Sequence, residues 1–378
     1  MKRKMNDVED KSDSQIQLDS FGVWYKSAQN ALSQCNEKQS AFELHINLWS
    51  KLKVDGIKNN KTFLDIGIKI KEYKNISELI FLCPFKLDSD DIQDLSGKLQ
   101  NKKNVDLIFN NNCGLWTSDR YWIISNDTSN NLKEDLLIFS FYQSVDDVIR
   151  IEEVVKGKSS KLVINFSLFK KYIESLSCND ENQCINRLKN VNDVYLRFRI
   201  ASHQLNKSIF SNLEPMNKYF QSGFTSIQIL DFKMNSKRSI DDRILAKAVG
   251  NDENFASFDK IHFLLMEPSN NNVIFMSENN TTCRNLEEGK WDNYLDCTGV
   301  GDTLVYHWKK SVVKNSSCQE NNKPIQEFDL LVKINYSKTN RKIILRYIVY
   351  GFLVGIVGSY VTQWARKLID YLLNLIFK

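Results

Sequence analysis

The 19 residues from Tyr347 to Ala365 carry no charge, and basic residues close the run at both ends, with Arg341, Lys342 and Arg346 before it and Arg366 and Lys367 after it. At about 1.5 Å per residue, a helix of that length spans roughly 28 Å, close to the hydrocarbon thickness of a bilayer. A core helix of a soluble domain rarely runs so far without a charge. Residues 341–365 therefore read as a transmembrane helix, and the rest of the chain as what it anchors. The start, MKRKMNDVEDKSDSQIQ, has basic residues with no apolar stretch behind them, which is not the pattern of a signal peptide. A lone C-terminal span after such a start predicts a tail anchor in an inner (plasma) membrane, with the bulk of the chain in the cytoplasm. The flanking cations agree: Lys333, Lys338, Arg341, Lys342 and Arg346 precede the span, against Arg366, Lys367 and Lys378 after it.

Charge divides along the same line. The chain has 51 Lys+Arg and 46 Asp+Glu; residues 341–378 hold six of the bases and one of the acids, so the first 340 residues carry 45 of each. The excess positive charge thus sits beside the span, where anionic lipid attracts it. A uniformly basic nucleic-acid-binding domain is not indicated. Eight cysteines occur without any CxxC spacing, which reads as reduced thiols rather than a disulfide framework.

Periodicity predicts a strand-rich α+β chain of antiparallel and mixed sheets with a few short helices, ending in the single C-terminal transmembrane helix. After a disordered start over 1–16, Trp24, Ala28, Ala31, Leu32 and Cys35 fall at helical spacing. Phe42, Leu44, Ile46 and Leu48 then alternate with polar residues, as do Leu64, Ile66, Ile68 and Ile70, which predicts a hairpin joined through Asp55-Gly56. The apolar run from Ser77 to Phe85 reads as a central strand closed by Pro84. Ser89-Asp90-Asp91 is placed to cap a short helix reaching Lys98. Further strands are expected at 105–109, 120–125, 136–142, 161–166, 194–200, 224–234, 258–266, 273–276, 303–308 and 326–335. Helices are expected at 168–176 and 284–295. The turn at 268–272 suggests a second hairpin. A boundary near residue 145 divides the chain into an α+β region (17–144) and a strand-rich region (145–340), and 366–378 forms an amphipathic tail after the span.

Motifs for catalysis are sparse. No GxxxxGK[ST] or GxGxxG lies between a strand and a helix, and Gly299-Val300-Gly301-Asp302 precedes a strand, the wrong order for either. His45, His203, His262 and His307 are isolated in sequence and read as structural, so neither a metal nor a cofactor is expected. Asp231 and Lys233 share a strand face in an acid-x-Lys pattern, which is how some metal-dependent nucleases place a metal-holding acid and a charge-steadying lysine. The same pattern describes an exposed charge pair. Tyr195, Arg197 and Arg199 form a basic-aromatic strand face, suited to gripping an anionic ligand or to a salt-bridged sheet surface.

In the span, Gly351, Gly355 and Ser359 recur every four residues, a stripe that lets membrane helices approach closely. Beyond it, Arg366, Asp370, Asn374 and Lys378 make one polar stripe, which suits a helix lying in the interface. The organisation fits a tail-anchored protein whose cytoplasmic domain senses or binds a partner and whose self-associating helix acts on the bilayer. The Asn- and Lys-heavy composition suits an AT-rich bacterial genome, where such an effector has a place in phage defence. A membrane-tethered adaptor is the second reading, and an anchored hydrolase or nuclease using Asp231 and Lys233 the third. Partners expected are the lipid bilayer, a second copy through the membrane helix, and a protein or small ligand of unspecified kind. Deleting residues 341–378 is expected to move the chain from the membrane pellet to the supernatant on ultracentrifugation; retention in the pellet would overturn the anchor.

Overall fold

The computed structural model describes residues 18–28, 41–52, 61–117, 121–127, 133–141, 148–177, 188, 190–213, 225–278, 281–297, 302–312, 323–337 and 341–376. Its first half contains strands β1 (Gly22–Ser27), β2 (Phe42–Leu52), β3 (Lys61–Ile70), β4 (Ile76–Cys83) and β5 (Ile92–Asp94). Helix α1 (Lys102–Phe109) follows, then β6 (Gly114–Thr117), β7 (Trp122–Asp127), β8 (Lys133–Ile138), β9 (Ile149–Val155), β10 (Ser159–Asn165) and helix α2 (Phe166–Ser177). The second half has β11 (Asp193–Ile200), α3 (Leu205–Ile209), β12 (Phe210–Leu213), β13 (Thr225–Met234), α4 (Asp242–Gly250), β14 (Asn254–Phe255) and β15 (Phe258–Pro268). It closes with β16 (Asn272–Met276), β17 (Thr281–Asn285), α5 (Asp292–Leu295), β18 (Thr303–Ser311), β19 (Phe328–Ser337) and α6 (Arg341–Ile376).

Three sheets form among the described residues. Alternation in β2, β3, β11 and β15 builds the largest, a ten-stranded mixed sheet in the order β17-β18-β15-β2-β3-β11-β8-β7-β6, with β5 beside β11. Pairing is antiparallel except for β15 with β2 and β11 with β8. A five-stranded sheet, β14-β1-β4-β10-β9, and a four-stranded one, β12-β13-β19-β16, complete the set. One apolar core joins all three. From the large sheet it takes Leu44, Ile46, Leu64, Ile66, Leu196, Phe198, Ile261 and Phe263; from the other two come Val23, Phe81, Ile164, Phe232 and Val332. Each such side chain, fully buried, is worth roughly 1.5–3 kcal/mol in removal from water.

The other face of the large sheet is polar at its centre and is covered in two places. Below α1, Leu99, Val105, Trp122, Ile124 and Leu136 pack together with Tyr195. Beneath α5, Trp49, Met266, Trp291, Tyr294 and Val305 form a separate cluster.

Several sequence expectations are corrected. Trp24 lies in a strand, not a helix, because β1 is buried on both sides: Val23 and Tyr25 face the main core, while Trp24 packs with Ile80, Leu82 and Val163. That erases the alternation by which strands are read; Ala31, Leu32 and Cys35 lie outside the described residues. The segment from Ser89 to Lys98 is two 3₁₀ turns flanking β5, with a capping box between Asp88 and Asp91, rather than one helix. Conversely, 105–109 belongs to α1: Asn101 caps it by accepting from the Lys103 N–H at 2.9 Å, and Asn110 ends it in the left-handed region at φ 50°. Residues 284 and 285 end β17, so the helix expected from 284 shrinks to α5. The turn after β15 makes no hairpin, since β16 pairs with β19 while β15 pairs with β18 and β2. The 42–70 hairpin forms as expected, with Phe42 opposite Ile70 and Leu48 opposite Leu64; its Asp55-Gly56 loop lies outside the described residues. Residue 145 does not separate the sheets either: β11 pairs with β3, β15 with β2 and β10 with β4.

Helix α6 is long and apolar enough to cross a membrane over Ile344–Ile376, and none of that stretch is buried against the rest of the chain. It passes Arg366 unbroken, where a separate amphipathic tail was expected; no glycine or proline lies between 359 and 376 to interrupt it. Its 36 residues reach about 54 Å, well beyond a hydrocarbon core of about 30 Å.

Phe232 stacks on Phe21 with centroids 5.3 Å apart and touches Phe263 and Phe328, whereas Phe275 is 52% exposed. Phe232→Ala is expected to cost about 3–5 kcal/mol in denaturant unfolding, and Phe275→Ala less than about 0.5 kcal/mol.

Candidate functional site

The polar face of the large sheet is built by register. Because side chains alternate, Glu43, His45 and Asn47 on β2 point away from the apolar core, as do Asp65, Gly67 and Lys69 on β3. Pairing then aligns residues from five strands in one row across the sheet: Arg197, Gly67, His45, His262 and Lys309. The adjacent rows hold Arg199, Asp65 and Asn47 on one side, and Tyr195, Lys69, Glu43 and Lys260 on the other. Between the covers formed by α1 and α5 the row opens into a cleft of about 380 Å³.

Its floor is a buried hydrogen-bond network around Asp65. Arg199 grips that carboxylate with two bonds, Nε to Oδ1 at 2.6 Å and Nη2 to Oδ2 at 3.0 Å. Trp49 Nε1 and Tyr294 Oη also donate to Oδ2, at 3.0 and 2.8 Å. Arg197 Nε in turn donates to Tyr294 Oη at 2.7 Å, and Arg197 Nη1 to Tyr195 Oη at 3.0 Å. With the Asn47 amide oriented so that its oxygen faces Arg197, it accepts from Nη2 at 3.0 Å. Tyr195 Oη lies 3.3 Å from His45 Nδ1. Although burial opposes ionisation, the charge and hydrogen bonds of Arg199, with the charge of Arg197, hold the Asp65 carboxyl below its usual range. Gly67 makes the crossing over β3 feasible: a Cβ there would lie 2.1 Å from Tyr195 Oη and 2.9 Å from Arg197 Nη1.

The charge balance is uneven. Arg197 is 1% exposed, yet among the described residues its donors reach neutral oxygens, while Asp65 accepts directly from Arg199. Around the cleft, Lys69 pairs with Asp193, Lys260 shares Glu43 with Lys71, and Arg284 pairs with Glu287. Lys309 stands exposed at the rim. Glu43 is the one carboxylate among the residues lining the cleft.

Three histidines meet there. His262 Nδ1 and His307 Nε2 are 2.9 Å apart, with the rings stacked, and His45 meets His262 edge-on at 5.3 Å between centroids. Burial, reinforced by His262 and Arg197, pushes His45 well below the usual histidine value. Burial and then His307, Lys260 and Lys309 push His262 down to about 4, and burial with Arg284 and Lys309 lowers His307. At neutral pH these rings are uncharged donors and acceptors. No group of three or more His, Cys, Asp or Glu placed to hold a metal occurs among the described residues.

The sequence-derived candidates fall in three places. Tyr195, Arg197 and Arg199 do share a face, but it is interior rather than a sheet surface: Tyr195 is fully buried and Arg199 is 4% exposed. Asp231 and Lys233 pair with each other at 3.1 Å on β13, in the four-stranded sheet and apart from the cleft. Gly351, Gly355 and Ser359 lie on exposed α6, with nothing within 4 Å of a Cβ added at either glycine. The flanking cations Arg341, Lys342, Arg346, Arg366 and Lys367 lie on the same helix. Sequence reasoning missed the histidine cluster. His45 and His262 each sit between apolar neighbours on the polar parity of their strands, but the pairing that aligns them is parallel and spans more than 200 residues.

No protein-family model matches the chain, and no curated protein matches it. Among solved structures the chain is similar to the mu homology domain of Fcho1 from Danio rerio with bound Eps15 peptide, at 10% identity, covering 80% of this chain and 81% of that one with a TM-score of 0.16. Similarity at that level assigns neither fold nor ligand.

Asp65→Asn strands Arg199 in the interior and is expected to cost about 3–5 kcal/mol of stability, whereas Asp231→Asn breaks an exposed pair worth about 0–1 kcal/mol. Denaturant unfolding separates the two. Stability is also expected to fall as pH drops below about 6.5, because the unfolded chain takes up protons that His45, His262 and His307 refuse in the fold. Melting temperatures measured between about pH 7.5 and 5 check this.

Proposed function

We propose that this chain is a membrane-anchored binding module that holds a small anionic ligand in the cleft on the polar face of its ten-stranded sheet. The observation that carries the reading is Arg197, a buried guanidinium that shares one carboxylate's neighbourhood with a second arginine and, among the described residues, donates to neutral oxygens. The field of Asp65 and the tyrosine oxygens favour the charged form of Arg197 against burial, but one carboxylate serves two buried arginines, and perturbed groups gathered in a cleft mark binding sites. An anion entering from the rim would supply further compensation. The volume is that of a small-molecule site, and aromatic residues (Phe109 and Trp291) stand beside the charges.

The apolar C-terminal helix gives the module its membrane anchor. We take that membrane to be the inner one, with the domain in the cytoplasm, and association through Gly351, Gly355 and Ser359 as the route by which a bound ligand would be reported. Action on the bilayer would then be an output of occupancy. The phage-defence setting draws no support from the cleft and is left aside, and Asp231 and Lys233 fit an exposed ion pair better than a catalytic site.

The test is a binding screen on the full chain in detergent micelles, using ATP, inorganic pyrophosphate and citrate as anions and glucose as the neutral control. At least one anion is expected to raise the melting temperature while glucose does not. Lys309→Glu, at the exposed rim, is expected to weaken that anion at least fivefold by calorimetry. Failure of all three anions would overturn the reading.

A further inference from the structure

We infer that the cleft takes up a phosphate-bearing ligand together with one proton on the His262–His307 pair, so that occupancy responds to pH as well as to ligand concentration. The inference rests on the anion-binding reading above and adds to it the ligand's chemistry and its regulation.

The geometry of the pair fixes its proton capacity. At 2.9 Å between His262 Nδ1 and His307 Nε2, one nitrogen must donate and the other accept. The ring that donates keeps a lone pair on its outer nitrogen, and a proton added there turns the shared bond into a charge-assisted one. A second proton would place two N–H groups face to face and break the bond. The pair therefore stores a single proton.

Every element around the pair bears on whether that proton is present. β2 contributes His45 and Glu43, β3 contributes Lys69, and β11 contributes Arg197. Lys260 and Lys309 lie on the pair's own strands, and Arg284 reaches in from β17. The end of α1 and the start of α5 add only uncharged side chains, Leu107 to Asn110 and Trp291. Cations thus outnumber the one carboxylate, and Glu43 is itself held ionised by Lys69, Lys260 and Lys71 against the effect of burial. Burial first, then the second ring and this surplus, keep the pair neutral, consistent with the lowered value at His262. A dianion seated among the same groups offsets part of that surplus, and the pair can then charge more readily.

A tetrahedral oxyanion fits the arrangement better than a carboxylate. Arg197, Lys260, Lys309 and the histidines come from four different strands, and the three free oxygens of a phosphate group can accept from several directions at once. The chemistry is shared by a soluble phosphate ester and by a phosphorylated lipid headgroup.

Calorimetry on the full chain in detergent tests the coupling, with sulfate as a probe that stays dianionic throughout and so reports protein protons alone. From about pH 7.5 to 5, sulfate affinity is expected to rise at least tenfold, with a slope of no more than about tenfold per pH unit, the limit for one proton. The double variant His262→Phe/His307→Phe keeps two stacked rings and removes both proton sites; it is expected to bind sulfate with a flat pH profile. Flat wild-type affinity in a chain that still binds would overturn proton uptake and leave the anion site standing, and an unchanged slope in His262→Phe/His307→Phe would overturn the assignment to this pair. Absence of binding by sulfate, inorganic phosphate and ATP at both pH limits would overturn the anion reading itself. Competition against sulfate then separates the sources: displacement by ATP but not by phosphatidylcholine vesicles carrying phosphatidylinositol bisphosphate indicates a soluble ester, and the reverse a headgroup.

Discussion

One buried carboxylate organises the middle of this molecule. Asp65 accepts four hydrogen bonds, from Arg199 twice, Trp49 and Tyr294, and through Tyr294 it reaches Arg197. Replacing such a network by apolar side chains of similar volume is often neutral or stabilising, so its presence is poorly explained by stability alone. What it does is position two guanidiniums at fixed points on a rigid sheet while neutralising only one. The excess of positive charge along the cleft follows in part from that imbalance. Rigid placement on strands, rather than on loops, favours a preformed site.

Gly67 shows how the backbone serves the network. Strand interiors disfavour glycine because it packs nothing and costs entropy. Here the missing side chain is the space through which Tyr195 and Arg197 pass over β3 to meet His45 and Asn47. A larger residue at this point would push both out of line.

Much of the framework was legible in the sequence because the strands that carry it are apolar on one face and polar on the other. β2, β3, β11 and β15 alternate cleanly, and the parity of Tyr195, Arg197 and Arg199 could be read directly. Their burial could not, since the cover comes from α1 and α5, one misread as a strand and the other over-extended. β1 was lost for the opposite reason: both its faces are apolar, so Trp24 suggested a helical period. The candidate site depended on long-range pairing. His45 and His262 become neighbours only when β15 lies parallel to β2, a connection that no local pattern announces. Charge counting was similarly blind, because a domain of zero formal net charge can still concentrate cations in one cleft.

The membrane helix bears on the same chemistry through distance. Four peptide links separate Ser337, at the end of β19, from Arg341, at the start of α6, and a chain of that length extends no more than about 14 Å. Were α6 to cross a bilayer with its first turn at the interface, the sheet that contains β19 would stand close to the headgroups, about where the field of an anionic leaflet is still felt. A surface potential near −30 mV concentrates protons, making the interfacial layer roughly half a pH unit more acidic than the bulk. A proton-sensitive domain held on so short a leash would sample that layer, and lipid composition could then tune it without touching the ligand.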